Sequence, residues 1–105
     1  MEKEEFKLNE TDTYERVYSN NGKLMYEKWF RNHRLHRDND LPSYILYDDN
    51  SNIRLLEWFI NGKMHHEGDN PTRINFNKNG NIEEIHWFKN YRGHRDDNKP
   101  SSITF

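Results

Sequence analysis

The sequence predicts an all-β fold: an elongated antiparallel sheet of about three 29-residue β-hairpin repeats in up-and-down order. Three observations carry this. Trp-Phe occurs at Trp29-Phe30, Trp58-Phe59 and Trp87-Phe88, with the same interval both times. The match extends without insertion or deletion from Tyr18 to Phe105. It takes in Asn32, Asn61 and Asn90, then Pro42, Pro71 and Pro100, then Ile45, Ile74 and Ile103, with Tyr18, Tyr47, Phe76 and Phe105 at one aromatic position. No window has a convincing helical period, and Ala, the best helix former, is absent.

The elements follow in chain order. Residues 1–17 are expected to cap the array, with Phe6 and Leu8 covering its end, and the repeats to span 18–46, 47–75 and 76–105. Strands are predicted near 14–18, 24–30, 43–47, 53–59, 72–76, 82–88 and 102–105. Tyr44-Ile45-Leu46-Tyr47 is a short β-prone run, and Asp48-Asp49-Asn50-Ser51-Asn52 is a turn cluster. Asn21-Gly22 and Asn79-Gly80 occupy that turn in the neighbouring units. Ile53–Phe59 is the second strand, and Asn61-Gly62 closes a hairpin because both residues tolerate positive φ. No unit buries its own face, so the stack is the folding unit.

Side chains alternate across a strand, which puts Trp58 and Phe59 on opposite faces. Trp58 is expected to share its face with Leu56, and Trp87 with Ile85. Glu27 holds that place in the first unit, where partial exposure suits it. Phe59 is expected to lie with Ile53 and Leu55. After each Trp strand comes a polar segment that begins at His36, His65 or His94 and ends at Pro42, Pro71 or Pro100. Its Asp and Asn residues favour side-chain-to-backbone turns.

Composition bounds the function. The chain has 105 residues, of which 31% are hydrophobic and 32% charged. That is a lean core for one domain. Aromatics reach 14%. A ladder of them can stand in for a globular core. There is no Cys, hence no disulfide framework and no thiolate metal site. The formal net charge is −2 with both signs interspersed, which gives no case for nucleic acid or anionic lipid. The charged start, Met1-Glu2-Lys3-Glu4-Glu5, is unlike a signal peptide, and no apolar run reaches membrane-spanning length. A soluble, cytoplasmic protein without a cofactor is expected.

Trp58-Phe59-Ile60-Asn61-Gly62-Lys63-Met64-His65 resembles the MORN-type β-hairpin repeats. It resembles more closely the longer MORN-like repeats of phage, giant-virus and bacterial proteins, to which the bacterial YwqK-like antitoxin family is related. The resemblance covers roughly Tyr18 to Phe105. Asn32-His33-Arg34 and Asn90-Tyr91-Arg92 depart from Asn-Gly-Lys. It implies repeat architecture and, by analogy, a small viral or phage inhibitor of a host defence protein or toxin, acting in the host cytoplasm.

The chemistry-bearing residues are read in that frame. His36, His65 and His94 fall one per unit. Equivalent positions of successive hairpins lie about 10 Å apart. That is too far to share one ion, whose ligands lie about 3–4 Å from each other. The three are read as structural, donating to a backbone carbonyl or to the acidic turn. Trp29, Trp58 and Trp87 are read as core, and Ser43, Thr72 and Ser101 as satisfying turn backbone. Arg37, Tyr44, His66, Tyr91 and Arg95 vary between units and are types enriched at interfaces, so they are the candidates for contacting a protein partner. The strand at Ser102–Phe105 is a candidate edge for a homodimer. The competing reading is a hydrolase or nuclease using His and carboxylates, with His65, His66 and Glu67 as its metal-assisted version.

Overall fold

The computed structural model describes residues 1–65, 68–89, 92–93 and 100–105, with backbone alone at 89, 92 and 93. Its main sheet is antiparallel and runs β1 (Glu2–Lys7), β2 (Asp12–Tyr18), β3 (Leu24–Arg31), β5 (Tyr44–Tyr47), β6 (Ile53–Glu57), β9 (Arg73–Phe76), β10 (Ile82–His86) and β13 (Ser102–Thr104). Each strand lies beside the next in the path, which is the expected up-and-down order. A short strand, β4 (Arg34–Leu35), adds to the end of β3. Two small hairpins stand apart: β7 (Phe59–Ile60) with β8 (Lys63–Met64), and β11 (Phe88–Lys89) with β12 (Arg92–Gly93). The extents are 44 × 37 × 19 Å, a slab rather than a sphere. No helix among the described residues is long and apolar enough to cross a membrane.

Register assigns the two faces, because directly opposed residues point the same way. Glu27, Ile45, Leu56, Ile74, Ile85 and Ile103 stand opposite one another along the sheet, forming an apolar row broken at Glu27. Tyr26, Leu46, Leu55, Asn75, Glu84 and Thr104 form the neighbouring row on the other face. Tyr47 opposes Ile53 while Leu46 opposes Leu55, so Arg54 is an extra, bulged residue. The bulge reverses the alternation behind it. Ile53 therefore stands with Tyr47, Ile45 and Leu56, and the expectation that it lies with Leu55 is corrected. Glu83 is bulged in the same way between Ile82 and Glu84.

The tight turns carry the predicted backbone. Gly22 and Gly80 have φ of 80° and 83°, and Ser51 fills the same position at 65°. Asn61 and Gly62 both have positive φ, 49° and 81°.

Two further expectations are corrected. The strands read as 53–59 and 82–88 both break at the Trp. At the break the ladder runs through a side chain. Trp58 N–H still donates to the Thr72 carbonyl at 2.9 Å, but Phe59 N–H donates to the Ser43 hydroxyl at 2.9 Å. Trp87 and Phe88 repeat this with the Ser101 carbonyl at 2.7 Å and the Thr72 hydroxyl at 2.9 Å. The neighbouring strand β5 begins only at Tyr44, and just before it the Ser43 hydroxyl takes the place of a ladder carbonyl as the acceptor. In β3 no break occurs, because β2 backs it as far as the Asp12–Arg31 pair. The N-terminal segment expected to cap the array contains a strand of its own. Residues 2–7 form a full edge strand whose Glu2, Lys3, Glu4, Glu5 and Lys7 suit an edge that must resist further pairing.

Burial is sparse. Among the described residues only Val17, Leu55 and Trp87 are buried hydrophobics, and the most deeply buried side chains are the hydroxyl-bearing Ser43 and Thr72.

Candidate functional site

The segment between β4 and β5 is an excursion from a ladder. His36 N–H donates to the Trp29 carbonyl and Trp29 N–H to the Ser43 carbonyl, both at 2.9 Å, so residues 37–42 leave and return at one residue. Positive φ at Asn39 (65°) and Asp40 (57°) turns the loop back, and Gly68 (67°) holds the place of Asn39 in the next unit. The loop settles on the face of Trp29. The Arg37 guanidinium lies 3.6 Å from the centroid of the Trp29 ring, and its Nη1 donates to the Pro42 carbonyl at 3.1 Å. Such stacking is an attraction of about 0.5–2 kcal/mol. Trp58 Nε1 donates to the Asp40 carbonyl at 3.0 Å, and Trp87 Nε1 to the Asp69 carbonyl at 3.1 Å. Each of these indoles therefore anchors the preceding polar loop.

His36 is buried, and both its ring nitrogens are engaged. Nδ1 accepts the Asn61 backbone N–H at 3.0 Å. That places the proton on Nε2, because the bond made by one ring nitrogen fixes the tautomer of the other. Nε2 stands 2.8 Å from Asp38 Oδ1. The expected donation to the acidic turn is thus present, together with a backbone bond to the next hairpin. Asp38 also meets Arg31 Nη2 at 2.6 Å, and Arg31 holds Asp12 through Nε at 2.7 Å and Nη2 at 2.9 Å. Hydrogen bonds to the Arg31 guanidinium hold both carboxyls below the usual Asp range; His36 adds to the effect at Asp38.

Glu27 is not merely exposed. It sits half-buried between Arg16 and Ile45, and each of its oxygens accepts a tyrosine hydroxyl, one from Tyr14 and one from Tyr47. Burial and then the Glu27 bond push the Tyr14 phenol up to about 12 and raise Tyr47 as well. The Tyr14 ring continues the stack, 4.9 Å from Trp29 and 5.9 Å from Phe6. Burial lowers the Arg37 guanidinium's affinity for its proton, against the pull of Glu27, Tyr14 and Tyr47.

Arg37 and Tyr44 are not brought together. Tyr44 lies on the opposite face, edge to face with Tyr26 at 6.0 Å, and Lys28 Nζ stands 4.8 and 5.3 Å from those two rings. Of the remaining candidates, His66, Tyr91 and Arg95 lie outside the described residues, as does His94 among the structural positions. His65 is half-buried, its N–H on the Trp58 carbonyl at 3.0 Å, the place His36 takes against Trp29. Sequence reasoning missed Arg31, Tyr14 and the clasp on Glu27. The one available signal was a carboxylate at a position that is Leu56 and Ile85 elsewhere. Among the described residues no group of three or more His, Asp or Glu side chains is placed to hold a metal ion. No family profile, curated protein or solved structure matches the chain.

Proposed function

We propose that the protein is a non-enzymatic, MORN-like protein-binding module. One observation carries the reading. The face bearing the aliphatic row stays open, with Ile53 38% and Ile82 41% exposed beside half-buried Ile45, Leu56, Ile74 and Ile85. Open apolar strips of this kind mark interaction surfaces. A rigid sheet with such a strip, rimmed by Arg37 on Trp29, has the composition of a protein contact surface. The polar groups next to it support binding over hydrolysis, since the Ser43 and Thr72 hydroxyls and both nitrogens of His36 are spent on structure. Tyr44 serves a contact on the second face, and His66, Tyr91 and Arg95 extend the set. The family resemblance suggests a viral or phage inhibitor of a host defence protein or toxin, working in the cytoplasm. Pairing of two copies along Ser102–Phe105 is a further contact of the same kind.

Affinity capture from host lysate with mass spectrometry tests this. A stoichiometric protein partner is expected, and it is lost from an Ile53→Glu, Ile82→Glu double variant that remains folded. Failure to recover any partner from every plausible host, or full retention by the double variant, refutes the reading.

A further inference from the structure

On the other face the chain departs from its own pattern. Tyr44, Leu46, Leu55 and Glu57 become, in the next unit, Arg73, Asn75, Glu84 and His86. Asn75 opposes Glu84 and Arg73 opposes His86, so the four form a polar square on β9 and β10, flanked by Leu55 and Glu57 of β6. The square does not satisfy itself. Arg73 Nε and Asn75 Oδ1 are buried without a hydrogen-bond partner among the described residues. Arg73 Nε stands 3.9 Å from Glu57 Oε2, beyond hydrogen-bond reach. Burial pushes the Glu57 carboxyl up against the pull of Arg73. Glu84 is held by His86 Nε2 at 2.9 Å. The bulges add Glu83 beside Glu84 and Arg54 beside Leu55, with Arg54 Nε committed to the Phe76 carbonyl at 2.8 Å.

Of these, Arg54, Arg73, Asn75, Glu83 and Glu84 line a cleft of about 430 Å³, with Asp48 at its side and Leu46 and Leu55 in its wall. A fold that needed only to close its sheet has Leu46 and Leu55 as its own working solution one hairpin earlier. Buried polar groups left unmatched where an apolar pair would serve mark a site kept for binding.

We propose that this cleft binds a small zwitterion of the α-amino-acid class. Its carboxylate lies on the Arg73 guanidinium and its ammonium on the Glu83 and Glu84 carboxylates, with the Asn75 amide between them and the side chain against Leu46 and Leu55. A ligand of single charge meets a group of its own sign in this cleft; a zwitterion pairs with both. A carboxylate that turns the guanidinium outward also gives the orphaned Nε a partner, as a bidentate contact does. The volume falls within the range of small-molecule sites. This site lies on the face opposite the open aliphatic row and does not depend on the proposed protein contact.

The test is a thermal-shift and calorimetric panel of free L-amino acids at about 10 mM, each beside its N-acetyl and its α-amide derivative. At least one free amino acid raises Tm, and each blocked form binds at least about tenfold more weakly, the equivalent of one lost ionic contact. Asn75→Leu, copying Leu46, raises the Tm of the free protein by about 4–8 °C and abolishes the response. The isosteric Glu84→Gln keeps the fold and weakens binding about tenfold. Silence across the whole panel overturns the proposal. So does equal binding of blocked and free forms, or an Asn75→Leu protein that still responds.

Discussion

The buried His36 imidazole accepts the backbone N–H of Asn61 at 3.0 Å, tying the loop of one hairpin to the turn of the next. Nothing else satisfies that N–H among the described residues. His36→Ala takes the partner from that N–H and leaves an empty space where the buried imidazole stood beside Asp38. We expect a loss of about 2–3 kcal/mol by urea denaturation. A loss below about 0.5 kcal/mol, the range of ordinary surface changes, would show the bond to be incidental.

The hydroxyls at the Trp break should matter more than their size suggests. Thr72→Val keeps the shape and removes the acceptor for Phe88 N–H. About 1–3 kcal/mol is expected to disappear. Ser43→Thr keeps the oxygen and copies the residue at 72, so it should fall well short of the loss from Ser43→Ala. If Val and Thr prove equivalent at 72, the hydroxyl has no part in holding the break.

Ser51 occupies a left-handed turn position that glycine fills at Gly22 and Gly80. A non-glycine residue there carries strain of roughly 1 kcal/mol. Ser51→Gly should therefore raise Tm despite the added chain freedom, and Gly80→Ser should lower it. The pair of melting curves decides the matter; a drop with Ser51→Gly would contradict the strain.

The Asp12–Arg31–Asp38 network sets the acid response. Both carboxyls titrate lower in the folded protein than in the unfolded chain, so the folded state binds fewer protons there. Their contribution is complete above about pH 4, the unfolded Asp value, and is lost as pH falls below it. Arg31→Gln should flatten stability against pH in that acid range and lower the plateau at neutral pH. A variant whose acid limb runs parallel to that of the wild type would remove the network from the account.

The sequence made the sheet legible because period, turn residues and alternation all pointed one way. Each main-sheet strand from Asp12 onward starts at or close to its predicted position. What stayed hidden depends on a contact between units. Alternation counts residues within one strand, so it cannot register that Phe59 exchanges a backbone carbonyl for the Ser43 side chain. It also skips the bulge at Arg54, which turned Ile53 over. Arg37 and Tyr44 are both candidates because they vary between units, yet sequence proximity does not say which face a looped residue returns to. The clasp on Glu27 draws Tyr14 and Tyr47 from strands on either side of it, and nothing local encodes that.

At Trp58 and Trp87 the chain bonds to both neighbours within a single residue step: Trp58 forward to the Thr72 carbonyl and Phe59 backward to the Ser43 hydroxyl, with Trp87 and Phe88 alike. In nearest-neighbour terms, each Trp-Phe step adds one bond to the strand on either side, so a hairpin stays tied to both neighbours where its own strand breaks. Opening one hairpin therefore strands donors in its own kink and in that of its neighbour. Such an array should unzip as one cooperative block, with amide protons of β6 and β10 exchanging at nearly the same rate.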